Sequence, residues 1–358
     1  MPVIKKVTAR AVLAPLARPI TTAHASIPQA PLVLVDVECG NGVIGRAYLF
    51  TYLPIALGPV RQMCVSIGEA LTGKPTEPVA RMAEMESMFR LLGRQGIAGM
   101  SMAGLDLALW DAAAKSRDMS VARMLGASHD AIECYDSNGI FAPDRDVEAL
   151  EATLAKGFRA VKFKIGEASE QADVDVIAAI RKVTGPGIRL MIDYNQSLSA
   201  PEALRRITRF EDEGFALHWV EEPVGAEDFA GHATIRSKVR TPIQSGENWC
   251  MPEGAAMAIQ AGISDHAMLD VMKIGGVTGW QKAAAMAQAV SLPVSSHIFI
   301  EASAHVLAAT PDAHMLEYLD VAGFILVEPR AVVDGMIAPQ GPGLGIEWDE
   351  RAVQSCLA

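Results

Sequence analysis

No apolar run in this 358-residue chain approaches the length of a membrane span, and the opening segment MPVIKKVTARAVLAPLARPI has no long apolar h-region or cleavage-site pattern. Neither a membrane partner nor a signal peptide is expected. Cysteine is sparse: Cys39, Cys64, Cys134, Cys250 and Cys356 are dispersed, odd in number and without a CxxC pair. That excludes a disulfide frame and reads as reduced thiols in a cytoplasmic protein. Positive charge is also short, with 31 Lys and Arg against 42 Asp and Glu and a net charge of −11. With no basic run, nucleic acid is not expected as a partner. A phosphate loop is missing too, because Gly275-Gly276-Val277-Thr278-Gly279 lacks the dinucleotide and Walker patterns.

What the chain has is a change of rhythm. Up to about residue 125, the segments Ile4 to Ala14, Pro31 to Glu38 and Gly45 to Phe50, with a turn at Asn41-Gly42, predict an antiparallel meander. The polar loop Pro19 to Ala30 reads as a flap. Helical patterns follow over Pro54 to Leu71, Pro78 to Leu92 and Ala98 to Ser116. From about residue 130, apolar strands centre near residues 135, 162, 191, 219, 244, 268, 294 and 316, with helical segments in the gaps. Each gap suits one βα unit, so the spacing predicts an α/β parallel barrel rather than an open doubly wound sheet. The last residues, including PQGPGLGIEW, read as a tail returning over the N-terminal region.

The polar residues at the ends of these strands form a set. In Val161-Lys162-Phe163-Lys164, alternation puts Lys162 and Lys164 on one face. An isolated KxK is ordinarily two surface lysines. On a buried strand, mutual repulsion and poor hydration lower a lysine pKa toward a base's range. Asp193, Glu221 and Glu247 follow on the next three strands. One such acid is usually a helix N-cap; three on consecutive strands call for a hard divalent cation, Mg²⁺ first and Mn²⁺ second. That leaves room for two oxygens of a small-molecule carboxylate. Asp270 beside His297 fixes an imidazole tautomer and leaves the other nitrogen to take a proton. Glu317, if protonated, can donate to the substrate. Glu222 has the opposite strand parity and reads as structural.

Taken together, VKFKIG, MIDYNQSL, VEEP, SGENW, DVMKIGGVTGW, SSHIF and AHMLEYLD resemble the enolase superfamily, and within it the mandelate racemase subgroup, over essentially the whole chain. Tyr135-Asp136-Ser137 fits the same subgroup. The resemblance implies a (β/α)7β TIM-like barrel over residues 130–320. It also implies an α+β capping domain over residues 1–125, rejoined by a C-terminal segment over 321–358. It implies Asp193, Glu221 and Glu247 as metal ligands, Lys164 as one base and Asp270–His297 as the other. Lys162 would hold a carboxylate oxygen, Glu317 would be the electrophilic acid, and Asn195 would touch the α-hydroxyl. Ser137, Tyr52, His24 and Ile27 would line the substrate pocket, with His24 where the subgroup is apolar. An Asp at 270, where the muconate-cycloisomerase and dipeptide-epimerase branches place a lysine, argues against those branches. The expected activity is a 2-hydroxy-acid racemase passing through an enediolate, as bases and Mg²⁺ do elsewhere in that superfamily. The alternatives are an acid-sugar dehydratase using the same bases and, from another class, a non-catalytic ligand-binding barrel. A homo-oligomer, by resemblance an octamer, is implied.

Overall fold

In the computed structural model the described residues are 2–21, 26–166 and 169–358. The N-terminal meander is present as β1 (Ile4–Thr21), β2 (Ser26–Cys39) and β3 (Ile44–Phe50), paired antiparallel in that order. Val33, Leu34, Val35 and Leu49 are all buried, and since successive residues alternate sides, both faces of the sheet are covered. The expected flap is shorter than residues 19–30. The strand ladder extends through Ile20–Ile27 and Thr21–Ser26 after an irregularity beyond Pro15, so residues 19–21 and 26–30 lie in strands. His24 lies outside the described residues. Three helices cover the sheet: α1 (Leu57–Leu71), α2 (Pro78–Met88) and α3 (Ile97–Lys115). Helix α2 stops four residues earlier than its apolar pattern predicts, and the chain turns at Gly93, whose φ is +96°. Leu91 and Leu92 are then left exposed, so their hydrophobicity reported neither burial nor helix.

Eight parallel strands follow: β4 (Ile132–Ile140), β5 (Ala160–Lys164), β6 (Arg189–Asp193), β7 (Trp219–Glu221), β8 (Ile243–Ser245), β9 (His266–Asp270), β10 (Val294–His297) and β11 (Ala313–Tyr318). They pair in chain order and β11 returns to β4, closing the barrel. Helices fill the seven intervals, from Pro143–Ala155 to Ile300–Ala308. The architecture is a (β/α)7β barrel under a capping sheet and helices. The C-terminal segment adds β12 (Met336–Ile337) antiparallel to β4. It ends against β1, where the Ala358 N–H donates to the Ala11 carbonyl at 3.0 Å.

Barrel and cap are joined by buried polar contacts. Asp106 of α3 accepts from the Thr278 N–H at 2.9 Å and from its hydroxyl at 2.6 Å. Gly276 makes this approach possible, since a Cβ there would lie 2.4 Å from Asp106 Oδ2 and its φ is +70°. Tyr48 donates to Glu301 at 2.6 Å.

The barrel interior is layered. Tyr135, Ala160, Met191, Trp219 and Met315 fill the middle. Below them, at the end of the barrel where the strands begin, His218, His266 and His314 gather. The His266 and His314 rings are stacked with centroids 4.5 Å apart, and His218 Nε2 lies 3.4 Å from His314 Nε2. Burial, then neighbouring positive charge including Arg189, pushes His218 down to about 4. Burial and the other two imidazoles push His314 down to about 3. The folded chain refuses protons here that the unfolded chain accepts below about 6.5. This floor therefore contributes stability that is present above pH 6.5 and lost as pH falls toward 4. Urea denaturation across pH 4 to 7 is expected to show a shallower acid-side loss for His314→Gln than for the wild type. Parallel curves would show that the floor does not titrate in this way.

Candidate active site

Strand register builds the site. Lys164, Asp193 and Glu221 are Cα partners across β5, β6 and β7, and Asp270 is the partner of His297 across β9 and β10. These side chains therefore emerge in one row at the strand ends, the barrel position where side chains from several strands converge. Lys162 lies one inward position deeper, opposite Ser137 of β4. Glu247 is not on a strand. It follows Gly246, whose φ of +140° and close approach to Met268 (a Cβ would lie 2.8 Å from its N and O) leave no room for a side chain.

The backbone around this row is strained. Asn195 (φ +43°), Glu222 (+35°), Ile298 (+47°) and Tyr52 (+59°) are left-handed without being glycine, a conformation that persists only where surrounding contacts fix it. Asn195 is fixed through its N–H and Nδ2, both donated to Asp193, at 2.7 and 3.0 Å.

Lys162, 1% exposed, bridges the carboxylates. Its Nζ is 2.5 Å from Glu221 Oε1, 2.8 Å from Glu317 Oε1 and 3.8 Å from Asp193 Oδ2. Lys164 Nζ donates to Asp193 Oδ2 at 2.8 Å and to Asn195 Oδ1 at 2.5 Å. The expectation that mutual repulsion and poor hydration bring the two lysines down toward a base's range is overturned. Burial is the largest influence and pulls each down, but Glu221, Glu317 and Asp193 together outweigh it at Lys162, and Asp193 with Glu247 outweighs burial and Lys162 at Lys164. Both ammonium groups are held above their ordinary range.

The carboxylates divide by their partners. Glu221 is pushed up to about 7 by burial and by Asp193, Glu317 and Glu247, against the pull of Lys162. Its second oxygen accepts from Trp219 Nε1 at 3.2 Å and Gln244 Nε2 at 3.1 Å. Glu317 goes the other way. Despite burial, Lys162 and then His297 draw it down to about 2, and it accepts from the Ile298 N–H at 2.9 Å and from Ser137. In this arrangement Glu317 is ionised and accepts, where the sequence reading had it donating. His297 Nδ1 sits 2.7 Å from Asp270 Oδ2 and its Nε2 3.2 Å from Glu247 Oε2. Burial lowers its pKa, but Glu247, Asp270 and Glu317 raise it to about 9. Asp270 is fixed by the N–H groups of Met272 (2.7 Å) and Lys273 (3.0 Å).

Asp193, Glu221, Glu247, Asp270 and Glu317 thus face Lys162, Lys164 and His297: five acids against three cations. Among the described residues no three or more acidic, His or Cys side chains stand in an arrangement that could hold a metal ion; lysines and His297 take up the carboxylates instead. The donor set still fits a hard cation. It is all oxygen, and the shortage of positive charge is large enough to drive Glu221 toward protonation.

Of the expected pocket residues, Ser137 bonds Glu317, Asn195 bonds Asp193 and Lys164, and Tyr52 reaches Asp270. Tyr52 packs on Phe50 with centroids 4.7 Å apart and points its hydroxyl at Asp270 Oδ2, 3.5 Å away. Ile27 is half-buried against the core on β2. Sequence reasoning missed Gln244 and Asn248. Gln244 shares strand parity with the inward face, which was a readable signal. Asn248 donates to Glu247 at 3.2 Å and to Glu222 at 3.0 Å, a bond set by a turn that no periodicity reports. Glu222, read as structural, is buried beside the row and also accepts from Gln196 at 2.9 Å.

The arrangement defines a class: barrel enzymes that collect acids, lysines and a His–Asp pair at the strand ends. Two sequence families match, the mandelate racemase / muconate lactonizing enzyme N-terminal domain over residues 4–126 and the enolase C-terminal domain-like family over residues 145–352. The chain belongs to the enolase superfamily, in its mandelate racemase subgroup. An enolase from Bradyrhizobium, crystallised with magnesium and mandelic acid, is 47% identical with a TM-score of 0.97, covering 99% of this chain and 98% of that one. The L-talarate dehydratase of Polaromonas sp. JS666, crystallised with magnesium and L-glucarate, is 26% identical with a TM-score of 0.90 over 100% of this chain and 98% of the other. The D-galactarolactone cycloisomerase of Agrobacterium fabrum is 30% identical over 94% of this chain and 93% of its own length. No helix among the described residues is long and apolar enough to cross a membrane.

Removing Lys162 would leave Glu221, Glu317 and Asp193 buried and facing one another. Lys162→Met is expected to cost about 3–5 kcal/mol at pH 8, as for other broken buried ion pairs. The loss should shrink toward pH 5.5, where protonation of Glu221 relieves the repulsion. Urea melts at the two pH values measure this; an equal or greater loss at pH 5.5 would contradict it.

Proposed function

We propose that this enzyme removes the proton α to the carboxylate of a 2-hydroxy acid with Mg²⁺ and returns it to either face, a mandelate-like racemisation. The observation that carries this reading is the position of the two basic groups. Lys164 pairs with Asp193 at one end of the row of three acids, while His297 meets Glu247 at the other. A substrate lying over Asp193, Glu221 and Glu247 has one base at each end. The magnesium and mandelic acid bound by the Bradyrhizobium enolase support the substrate and the metal assigned here.

Asp193, Glu221 and Glu247 would hold Mg²⁺, whose positive charge would acidify the α-carbon next to the substrate carboxylate and relieve the charge shortage that holds Lys164 and His297 protonated. Lys164 takes or returns the α-proton on one face. His297 does so on the other, its Nδ1 proton held by Asp270 so that Nε2 is the exchanging atom. Lys162 turns its ammonium to a substrate carboxylate oxygen. With Lys162 shared and a new anion beside it, Glu317 takes up a proton from solvent as substrate binds, and donates it in a hydrogen bond to the carboxylate as negative charge builds there. Asn195 and Ser137 orient the hydroxyl and carboxylate, and Tyr52 and Ile27 close over the side chain.

A second reading, an acid-sugar dehydratase, draws on the L-talarate dehydratase of Polaromonas and on His297 itself. In this reading His297, in its protonated form and held by Asp270, delivers the proton to a departing β-hydroxyl. Each reading makes Mg²⁺ and the same residues essential.

In deuterated water with Mg²⁺, wild-type enzyme is expected to exchange the α-proton of both mandelate enantiomers. Lys164→Arg should abolish exchange of one enantiomer and His297→Asn that of the other; a variant that still racemises would refute the two-base assignment. Glucarate consumed while mandelate stays untouched would establish the dehydratase instead. Glu317→Gln is expected to lower kcat by about 10²–10³ with KM little changed, the size of a lost oxyanion donor. An effect confined to KM would make Glu317 a binding residue.

A further inference from the structure

Lys273 has no part in the chemistry just described, yet it is held from several sides. Its Nζ donates to Asn248 Oδ1 at 2.6 Å and lies 4.8 Å from the centroid of the Tyr52 ring. Its N–H donates to Asp270 at 3.0 Å, and its carbonyl accepts from the Met251 N–H at 2.9 Å. The two groups that its ammonium touches belong to different parts of the fold. Tyr52 follows β3 in the capping region, whereas Asn248 follows β8 in the barrel and donates its Nδ2 to Glu247 and Glu222.

We propose that Lys273 is a positioning residue: its ammonium latches the capping region to the barrel beside the His297–Asp270 pair, gripping the face of Tyr52 while fixing the amide of Asn248. A cation over an aromatic face is attracted by the ring quadrupole, more strongly where water is excluded. Tyr52 needs such an outside hold, because a bulky residue at φ +59° is strained on its own. The same ammonium orients Asn248. With Oδ1 taken by Lys273, the amide presents Nδ2 to the carboxylates and so aims Glu247. One side chain thereby sets both the ring over the pocket and an acid beneath it. The inference rests on Tyr52 and Glu247 belonging to the site, but not on which reaction the site performs.

Hydrogen exchange on the full chain without substrate tests the latch. The Thr51 amide, bonded to the Pro31 carbonyl at 2.9 Å, reports the Tyr52 segment, and the Lys273 amide reports the barrel side. Lys273→Met is expected to speed exchange at Thr51 about five- to tenfold, and Lys273→Arg, which keeps the cation, by no more than about twofold. Tyr52→Leu should loosen the Lys273 amide in turn, and the double variant Lys273→Met/Tyr52→Leu should add nothing to either single change. In turnover, Lys273→Met should raise KM for mandelate more than it lowers kcat, with Lys273→Arg restoring it. Unchanged exchange at Thr51 in Lys273→Met, or additive effects in the double variant, would overturn the latch. If exchange behaves as expected while wild type ignores mandelate, the latch stands and the racemase assignment falls.

Discussion

Everything at the mouth of this barrel depends on an imbalance of charge in a space with little water. Asp193, Glu221, Glu247, Asp270 and Glu317 are set against Lys162, Lys164 and His297, and the deepest of the cations, Lys162, is buried among three of the acids. In such surroundings an unpaired charge is costly, so each group is driven to find a partner. The outcome is a set of opposed shifts. Glu317 is drawn down to about 2 and Glu221 pushed up to about 7, although both touch Lys162. The difference lies in what else surrounds them: His297, Ser137 and an N–H at Glu317, further acids at Glu221. A site poised this way changes protonation whenever positive charge or a substrate anion enters it.

The rest of the fold keeps that imbalance in place. Parallel register aligns Lys164, Asp193 and Glu221, and a slip of one residue would turn each to the opposite face. Trp219 and Gln244 hold the inner oxygen of Glu221 from below. Above, the capping region is bound to the barrel through Asp106 and Thr278, and through Tyr48 and Glu301. These buried contacts, with Gly276 permitting the closest approach, let a residue from the first sixty positions stand over acids two hundred positions later. Strained backbone at Asn195, Glu222 and Ile298 follows the strand ends, and that at Tyr52 brings its hydroxyl to Asp270 from the capping side.

Much of this was legible in the sequence because it depends on local periodicity. Eight apolar strands at regular spacing announced the barrel, and alternation put Lys162 with Lys164 and set Glu222 apart from Glu221. Asp193, Glu221, Asp270, His297 and Glu317 could be placed at strand ends from the same pattern. What depends on distant neighbours was not legible. The lysine pKa values ran opposite to expectation because the carboxylates that raise them arrive from other strands. The segment read as a flap has its described residues, 19–21 and 26–30, in strands, since polarity reports solvent contact and not loss of hydrogen bonds. Asn248 and Lys273 lay inside motifs that were read for other residues; only the turns that bring them to Tyr52 and Glu247 reveal their position.

The account turns on Asp193, Glu221 and Glu247 acting together on one hard cation, and calorimetric titration of the metal-free protein with Mg²⁺ tests this without any substrate. One Mg²⁺ per chain is predicted for the wild type, with affinity falling about 10- to 100-fold or more in Asp193→Asn and in Glu247→Gln. Binding that is undiminished in either variant, or no binding by the wild type, would contradict it.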